Sequence, residues 1–244
     1  MLPTGWRLEV HAALPSTSDR IAEAAAAGEP AGLAVLARQQ TAGRGRSGRA
    51  WVSPPGNLYL SVLLRPRQPA REVGQWSLLA GVALAEAARA LDPEPAALRL
   101  KWPNDLLRHG AKCAGILCET ALAADGALDW LSLGIGVNLA HAPAVPGRPT
   151  TCLGASEPPE EFAGRLMARL DHWVGCQARE GFAPVRAAWT RLGPDLGAPM
   201  SLSWTPPTMG CFAGLAEDGG LLLDAEGRRQ VIRSGEVHLP GSGT

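Results

Sequence analysis

The chain has 244 residues, of which 46% are hydrophobic and 19% charged, a composition typical of a folded globular protein with a sizeable core. Its 23 lysine and arginine residues balance its 23 aspartate and glutamate residues, so bulk electrostatic binding to nucleic acid or to an anionic membrane is not expected. The sequence shows no signal-peptide pattern, no run of about 18 apolar residues and no C-x-x-C pair among its five cysteines, and we therefore expect a cytoplasmic protein with reduced thiols.

Patterns of apolar residues predict strands and helices over the first part of the chain. Ser16 and Asp19 resemble a capping box in front of an alanine-rich helix over Ile21–Ala27. A longer helix over Arg71–Leu91 has apolar residues at helical spacing. The Asp-Gly turn at 125–126 would pair the last two predicted strands of this part antiparallel. The predicted strands are Trp6–Ala12, Gly32–Arg38, Leu58–Leu64, Leu98–Trp102, Lys112–Glu119 and Trp130–Leu139.

The pattern changes toward the end of the chain. Two more helices are predicted over Pro159–Ala178 and Ala183–Leu192, after which glycine and proline interrupt the helical spacing. Many short strands in so short a segment indicate a small barrel. We therefore predict an α/β domain over residues 1–193 and a small β-barrel over residues 194–244. The predicted barrel strands are Met200–Trp204, Cys211–Ala216, Leu221–Asp224, Gln230–Arg233 and Glu236–Leu239.

A loop rich in glycine and arginine, between the second and third predicted strands, is the strongest functional signal. Its glycines let the backbone approach a ligand, its N–H groups can form a nest for anionic oxygens, and its arginines can bind phosphate or carboxylate. The composition also fits a solvated arginine turn or a segment that contacts RNA. The loop matches neither the P-loop nor the G-x-G-x-x-G dinucleotide pattern. Its glycines and arginines are Gly43, Arg44, Gly45, Arg46, Gly48 and Arg49.

The segment from Lys101 to Asp105 predicts a turn at the end of a strand. Pro103 would end the strand, and Asn104 and Asp105 suit the turn that follows. This turn would expose a carboxylate. Asp105 could hold Mg²⁺ beside nucleotide phosphates, because Mg²⁺ commonly takes one or two carboxylates together with phosphate oxygens and water. A purely turn-forming role for Asn104 and Asp105 fits the segment equally well.

Two further segments carry weaker signals. Lys112 precedes a buried strand, where its ammonium group could meet a carboxylate or phosphate. Asn138 follows Gly134 and Gly136, and its amide could contact a ribose or a base edge. Each residue alone is explained more simply, as a surface lysine and as an asparagine at a strand end.

Together these segments resemble the biotin protein ligase family. The resemblance implies an α/β (α+β) catalytic domain with a mixed sheet, followed by a small SH3-like barrel. It also implies a ligase without the DNA-binding domain of the bacterial biotin repressor, because the first predicted strand begins near Trp6. The matching blocks are Gly43-Arg44-Gly45-Arg46-x-Gly48-Arg49-x-Trp51, Lys101-Trp102-Pro103-Asn104-Asp105, Lys112-x-x-Gly115-Ile116-Leu117-x-Glu119 and Gly134-x-Gly136-x-Asn138.

The resemblance assigns roles to individual residues. Arg46, Lys112 and Asp105 would be catalytic, and Asp105 would be the Mg²⁺ ligand. Ser18 departs from the family pattern, which often has asparagine there, and no tryptophan occurs in residues 147–153, where some members stack the adenine. The residues expected to bind biotin are Ser16, Thr17, Gln40, Gly43, Arg44, Gly45, Arg46, Trp51, Lys112 and Gly115. Those expected to bind ATP are Arg46, Arg49, Asn104, Asp105, Lys112 and Asn138.

The implied activity is ATP-dependent formation of biotinyl-5'-AMP, followed by transfer of biotin to a lysine of a biotin carboxyl carrier domain. Biotin, ATP and Mg²⁺ are the implied ligands, no membrane partner is expected, and a homodimer is compatible with the resemblance. Two alternatives remain. One is a lipoate ligase or octanoyl transferase of the same fold, the latter with a cysteine nucleophile. The other is a non-catalytic nucleic-acid-binding protein that uses the arginine loop.

Overall fold

The computed structural model describes residues 2–66, 68–203 and 208–239. Its helices are α1 (Thr17–Ala26), α2 (Val73–Arg89), α3 (Pro159–Glu180) and α4 (Ala183–Leu192). Its first seven strands are β1 (Arg7–His11), β2 (Leu33–Ala37), β3 (Leu58–Leu64), β4 (Leu98–Lys101), β5 (Asp105–Arg108), β6 (Ala111–Leu122) and β7 (Leu128–Val137). The last five are β8 (Pro199–Leu202), β9 (Thr208–Leu215), β10 (Leu221–Ala225), β11 (Arg228–Ile232) and β12 (Val237–His238).

The first seven strands form one mixed sheet in the order β1-β2-β3-β7-β6-β5-β4. Only β1 and β2 run parallel, with α1 as their crossover, and every other neighbouring pair is antiparallel. Every residue of β2 and β3 is buried, as expected for central strands covered on both faces. The predicted mixed sheet of an α/β fold is therefore confirmed.

Helices cover both faces of this sheet. Successive strand residues point to opposite faces, and in β2 Leu33 and Val35 pack with Ile21 of α1, whereas Ala34 and Leu36 join the main core. The main core also contains the buried side of α2, and α2 packs against both α3 and α4. The single helix α1 thus covers one face and brings its N-terminus to the sheet.

The last five strands form a separate antiparallel sheet in the order β11-β10-β9-β8-β12. Its apolar side chains join the main core, where the rings of Trp189 and Phe212 lie 6.1 Å apart. The Nε1 atom of Trp102 also donates a hydrogen bond of 3.2 Å to the carbonyl oxygen of Gly219. The small C-terminal β unit expected from the sequence is present and is packed onto the larger unit. The predicted strand Met200–Trp204 ends at Leu202, and Trp204 itself lies outside the described residues.

One strand was absent from the sequence-based prediction. Asp105 begins β5, which pairs with β4 in a tight hairpin that sets Lys101 opposite Asp105. The expected exposed carboxylate in a turn is therefore wrong, since Asp105 is 8% exposed. Asn104 lies in the turn as predicted, whereas Asp105 already belongs to the next strand of a hairpin.

None of the helices in the described residues is both long enough and apolar enough to cross a membrane.

Candidate active site

One cavity lies between the sheet, the N-terminus of α1 and the glycine- and arginine-rich loop. Residue Glu236, beside β12, closes it from the C-terminal unit. The sequence-predicted site residues that line this cavity are Ser16, Thr17, Gln40, Arg44, Gly45, Arg46, Arg49, Trp51, Asn104, Asp105, Lys112, Gly115 and Asn138. The tertiary structure thus brings residues from five separate segments of the chain to one place.

Gly43 is the predicted residue that does not line the cavity. A Cβ atom at this position would lie 2.6 Å from the carbonyl oxygen of Trp51 and 2.9 Å from Nε2 of Gln40. The amide of Trp51 donates a hydrogen bond of 2.8 Å to the carbonyl oxygen of Gly43. This glycine therefore permits the loop to fold back on itself behind the site.

The closed end of the cavity is polar. Ser16 caps α1, as predicted, and its hydroxyl accepts a hydrogen bond from the amide of Ser18. The backbone amide of Thr17 donates a hydrogen bond of 2.9 Å to Oε1 of Gln40, and the hydroxyl of Thr17 lies 2.7 Å from that of Ser61. Ser61, on the buried strand β3, was not predicted. Its only sequence signal is that it interrupts an apolar strand.

Trp51 forms an apolar wall against two glycines on neighbouring strands. Gly115 of β6 pairs with Gly136 of β7, and a Cβ atom on Gly136 would lie 2.5 Å from Cε2 of Trp51. The Nε1 atom of Trp51 is buried and has no hydrogen-bond partner among the described residues. The absence of side chains at the two glycines is thus what lets the indole ring approach the sheet so closely.

A cluster of cations shares one carboxylate in the middle of the cavity. The Nζ atom of Lys112 lies 2.5 Å from Oδ1 of Asp105 and 5.4 Å from the centre of the Trp51 ring. The Nζ atom of Lys101 lies 3.8 Å from Oδ2 of the same carboxylate. Burial lowers the pKa of Lys101 below its ordinary value. One negative charge therefore serves two ammonium groups, and Lys101 joins the site although it had been assigned no role.

The three arginines of the loop differ in their partners. Arg44 lies 2.6 Å from a carboxylate oxygen of Asp19, and this hydrogen bond raises the pKa of Arg44. Asp19 therefore pairs with the loop and not with the Ser16 cap. Arg46 instead contacts neutral oxygens, at 3.2 Å from Oδ1 of Asn104 and 3.4 Å from the carbonyl oxygen of Gly235. Arg46 thus carries a charge that no carboxylate of the described residues neutralises at ion-pair distance.

Glu236 ties the C-terminal unit to the loop. Its carboxylate accepts a hydrogen bond of 3.1 Å from Arg49 and another from Arg148. Burial alone would raise the pKa of Glu236, but the charges of Arg148 and Arg49 outweigh it, so the pKa lies below its ordinary value. Both Arg148 and Glu236 line the cavity, and neither had a local sequence signal.

The two asparagines of the predicted site hold neighbouring segments through their amide nitrogens. Asn104 donates a hydrogen bond of 2.7 Å to the carbonyl oxygen of Ile116, and Asn138 donates one of 3.0 Å to the carbonyl oxygen of Thr151. Asn104 uses its side-chain oxygen to accept from Arg46. Contacts of both residues with a nucleotide stay a prediction.

The carboxylates of the cavity and the buried thiols bear on metal binding and on nucleophilic chemistry. No group of three or more His, Cys, Asp or Glu residues there is arranged to hold a metal ion, and the carboxylates that line the cavity are Asp105 and Glu236. Burial raises the pKa of Cys113 and of Cys118 to about 12. Neither thiol is activated as a nucleophile.

Comparison with known proteins agrees with this arrangement. Residues 12–138 match the biotin/lipoate A/B protein ligase family. The biotin--[acetyl-CoA-carboxylase] ligase of Paracoccus denitrificans is 40% identical over 217 residues, which cover 85% of this chain and 90% of that protein. The protein of the same name from Mycobacterium tuberculosis is 34% identical over 250 residues, which cover 97% of this chain and 91% of that protein.

A solved structure shows the same architecture. The biotin protein ligase from Aquifex aeolicus, in complex with biotin and ATP, superposes with a TM-score of 0.79. It is 28% identical in sequence, and the match covers 96% of this chain and 98% of that one.

Proposed function

The chain belongs to the biotin/lipoate A/B protein ligase family, and on that premise we propose that its cavity activates biotin with ATP and transfers it to a lysine of a carrier domain. Both relatives are named biotin ligases, and each matches most of this chain. The protein is accordingly an ATP-dependent biotin ligase. The proposal concerns which residues carry out the two steps.

The observation that carries this assignment is uncompensated positive charge inside the cavity. Lys101 and Lys112 share the single carboxylate of Asp105, and Arg46 is partnered by neutral oxygens. Such an arrangement is costly without an anion, because a buried charge needs a partner. A carboxylate and a chain of phosphates, the reacting groups of biotin and ATP, would supply the missing negative charge.

In the first step, the biotin carboxylate attacks the α-phosphate of ATP, a mixed anhydride forms, and pyrophosphate leaves. Arg46 and Lys112 would stabilise the negative charge that develops on the reacting oxygens, which is commonly the largest contribution to catalysis. Trp51 would lie along the apolar part of biotin, with Thr17 and Gln40 at its polar ring. The cavity would thereby hold carboxylate and phosphate in line.

In the second step, the amine of the carrier lysine attacks the anhydride carbonyl, and AMP leaves. The glycine- and arginine-rich loop would cover the anhydride and keep water away until the carrier arrives. Arg49 and Asn138 would contact the nucleotide. The predicted boundary between residues 193 and 194 is part of this proposal, with Glu236 of the second unit reaching the site of the first.

Magnesium belongs to the proposal as the companion of the ATP phosphates. The donor set fits such an ion, because Mg²⁺ commonly takes one carboxylate, phosphate oxygens and water, and Asp105 would be that carboxylate. The ion would supply further charge neutralisation at the phosphates. Asp105 is paired with Lys112, so its carboxylate would change partner when the ion is bound.

The structure disfavours an octanoyl transferase and a nucleic-acid-binding protein, whereas a lipoate ligase is distinguished by the substrate test below. The raised pKa values of Cys113 and Cys118 argue against the cysteine nucleophile of an octanoyl transferase. Two of the three loop arginines are paired with carboxylates within the protein, Arg44 with Asp19 and Arg49 with Glu236, and Arg46 lines the cavity. They therefore do not form the free cationic face that a nucleic-acid-binding protein would need.

The decisive experiment is mass spectrometry of a biotin carboxyl carrier domain incubated with the protein, ATP and Mg²⁺, with either biotin or lipoate. Biotinylation of one lysine that requires ATP is the expected result. Lipoylation without biotinylation, or no modification together with absent ATP–pyrophosphate exchange, would overturn the assignment.

A further inference from the structure

A directed chain of hydrogen bonds runs behind the closed end of the cavity. It starts at Ser18, passes through Ser61 and Thr17 to Gln40, and continues through Ser53 to the carbonyl oxygen of Trp51. Ser18, Thr17 and Gln40 line the cavity, whereas Ser61 lies behind it and is 0% exposed. Ser61 therefore meets the other hydroxyls without touching a ligand.

The two backbone contacts of the chain fix the orientation of the Gln40 amide. The backbone amide of Thr17 donates a hydrogen bond of 2.9 Å to one side-chain atom of Gln40. Because that atom accepts, it must be the oxygen Oε1. At the other side, Ser53 gives its only proton to the carbonyl oxygen of Trp51 at 2.8 Å. Ser53 can then only accept from Gln40, so the atom 3.1 Å away must be the nitrogen Nε2.

This orientation determines where each hydroxyl proton goes. The Thr17 hydroxyl lies 3.2 Å from Oε1 of Gln40, which cannot donate, so Thr17 is the donor. The contact of 2.7 Å between Thr17 and Ser61 then needs the proton of Ser61. The contact of 3.2 Å between Ser18 and Ser61 in turn needs the proton of Ser18. All three hydroxyl protons are consumed inside the protein.

We propose that Ser61 is a positioning residue that sets this proton order, so that Thr17 and Ser18 offer the cavity lone pairs only and select a ligand whose ring donates N–H groups. The inference rests on the proposed function, in which the ring is the cyclic urea of biotin, and deepens it by naming how the ring is chosen. If a head group presents an acceptor oxygen here, its lone pairs face those of Thr17 and Ser18, and the two repel each other. A sulfur ring without N–H groups leaves buried acceptors unpaired, which is also unfavourable.

Gly134 packs closely against this part of the hydrogen-bond chain. Ser61 faces Gly134 of β7, and a Cβ atom there would lie 2.8 Å from the hydroxyl of Ser18 and 3.4 Å from that of Ser61. The glycine thus leaves just enough space for the hydroxyls to reach each other. Removing the Ser61 hydroxyl would free the proton of Ser18, and Ser18 would then offer the cavity a donor where the wild-type residue offers lone pairs.

The test is calorimetric binding, without ATP, of biotin and of two cyclic carbamate analogues in which one ring N–H is replaced by oxygen. Wild-type protein should prefer biotin over the worse analogue by on the order of 100-fold. In Ser61→Ala, biotin should bind about fivefold more weakly, and the preference should fall to on the order of tenfold, because the released Ser18 proton can serve the added oxygen.

Ser132→Ala is the matched control. Ser132 lies on the neighbouring strand β7, is 1% exposed, and its hydroxyl has no hydrogen-bond partner among the described residues. Its removal should leave both affinity and preference at wild-type values. If Ser61→Ala does not fold, Ser61→Cys, which places a larger but only weakly donating thiol at this position, should show the same loss of preference.

A Ser61 variant that loses affinity but keeps the full preference would overturn the inference, as would an equal loss of preference in Ser132→Ala. Either result leaves the proposed function intact, since wild-type protein would still bind biotin. Wild-type protein that binds neither biotin nor its analogues would instead contradict the proposed function.

Discussion

The Nζ atom of Lys112 lies 2.5 Å from Oδ1 of Asp105, and the two residues belong to the adjacent strands β6 and β5. Lys101 approaches the same carboxylate from β4 at 3.8 Å. Three strands of the sheet thus deliver two ammonium groups to one buried carboxylate, and the balance of charge in the cavity depends on Asp105.

Replacing Asp105 with asparagine should destabilise the protein by about 3 kcal/mol, because breaking a largely buried pair leaves uncompensated charge. Lys101 and Lys112 would then repel each other. The urea dependence of unfolding measures the loss. Asp125→Asn, in the exposed turn after β6, should change stability little, since asparagine can still accept from the amide of Ala127. Equal stability of the two variants would contradict the role of Asp105.

Replacing Lys112 with alanine should slow adenylate formation by about 100-fold, because the charge that stabilises the reacting oxygens is lost. Biotin binding should weaken far less, since the polar ring and the apolar wall remain. Single-turnover formation of biotinyl-AMP and equilibrium binding separate the two effects. Arg71→Ala removes a cation whose side chain is 80% exposed and should affect neither. An unchanged single-turnover rate would show that Lys112 acts only in structure.

Replacing Arg46 with alanine should let the adenylate escape. A hydrogen bond to a charged group contributes about 1.5–3 kcal/mol. Among the described residues Arg46 is partnered by neutral oxygens, so its charge is available to the phosphate. Release of free biotinyl-AMP into solution should rise about tenfold or more. Arg38→Ala, at a surface arginine that pairs with Glu160, serves as control. Wild-type retention in the Arg46 variant would refute the assignment.

Replacing Glu236 with glutamine should loosen the contact between the C-terminal unit and the loop. It should also make the stability of this contact less dependent on pH. The folded pKa of Glu236 lies below its ordinary value because arginine charges outweigh burial. The stability that this carboxylate contributes is therefore complete above the pKa of the unfolded chain and is lost as the pH falls through the lower folded pKa.

Hydrogen exchange of the loop, measured from neutral to acidic pH, checks this prediction. In wild-type protein, protection near Arg49 should persist at mildly acidic pH and decline only below the ordinary carboxyl pKa. In Glu236→Gln, protection should be lower already at neutral pH and should change less on acidification. Identical pH profiles in the two proteins would show that Glu236 does not hold the loop.

Replacing Gly136 with alanine should displace Trp51, because the added Cβ atom would lie 2.5 Å from its ring. Overpacking of this kind costs about 1–3 kcal/mol, and the KM for biotin should rise while kcat changes less. Gly164→Ala, in α3, meets no heavy atom within 4 Å and should be neutral or stabilising by about 0.5–1 kcal/mol. Normal biotin affinity in Gly136→Ala would argue that Trp51 does not form the wall.

The candidate site could be predicted from the sequence where chemistry is local. The glycines and arginines between Gly43 and Arg49 encode close backbone approach and positive charge within a few residues, and Ser16 is recognisable as a helix cap from its immediate neighbours. The long strands could also be predicted from the sequence, because the spacing and number of apolar residues identified each of them. The short strand β5 escaped because Asn104 and Asp105 are turn formers, and only pairing with β4 and β6 makes the following residues a strand.

Local patterns along the chain are therefore enough to predict the fold class, the family resemblance and most of the predicted residues that line the cavity. Tertiary structure alone decided how those patterns meet. It buried Asp105 between two lysines, placed Ser61 behind Thr17, and brought Glu236 to Arg49 across 187 positions of the chain. The physical reason is that charge balance and hydrogen-bond direction depend on distances between remote segments, which strand pairing and core packing set and which no short stretch of sequence contains.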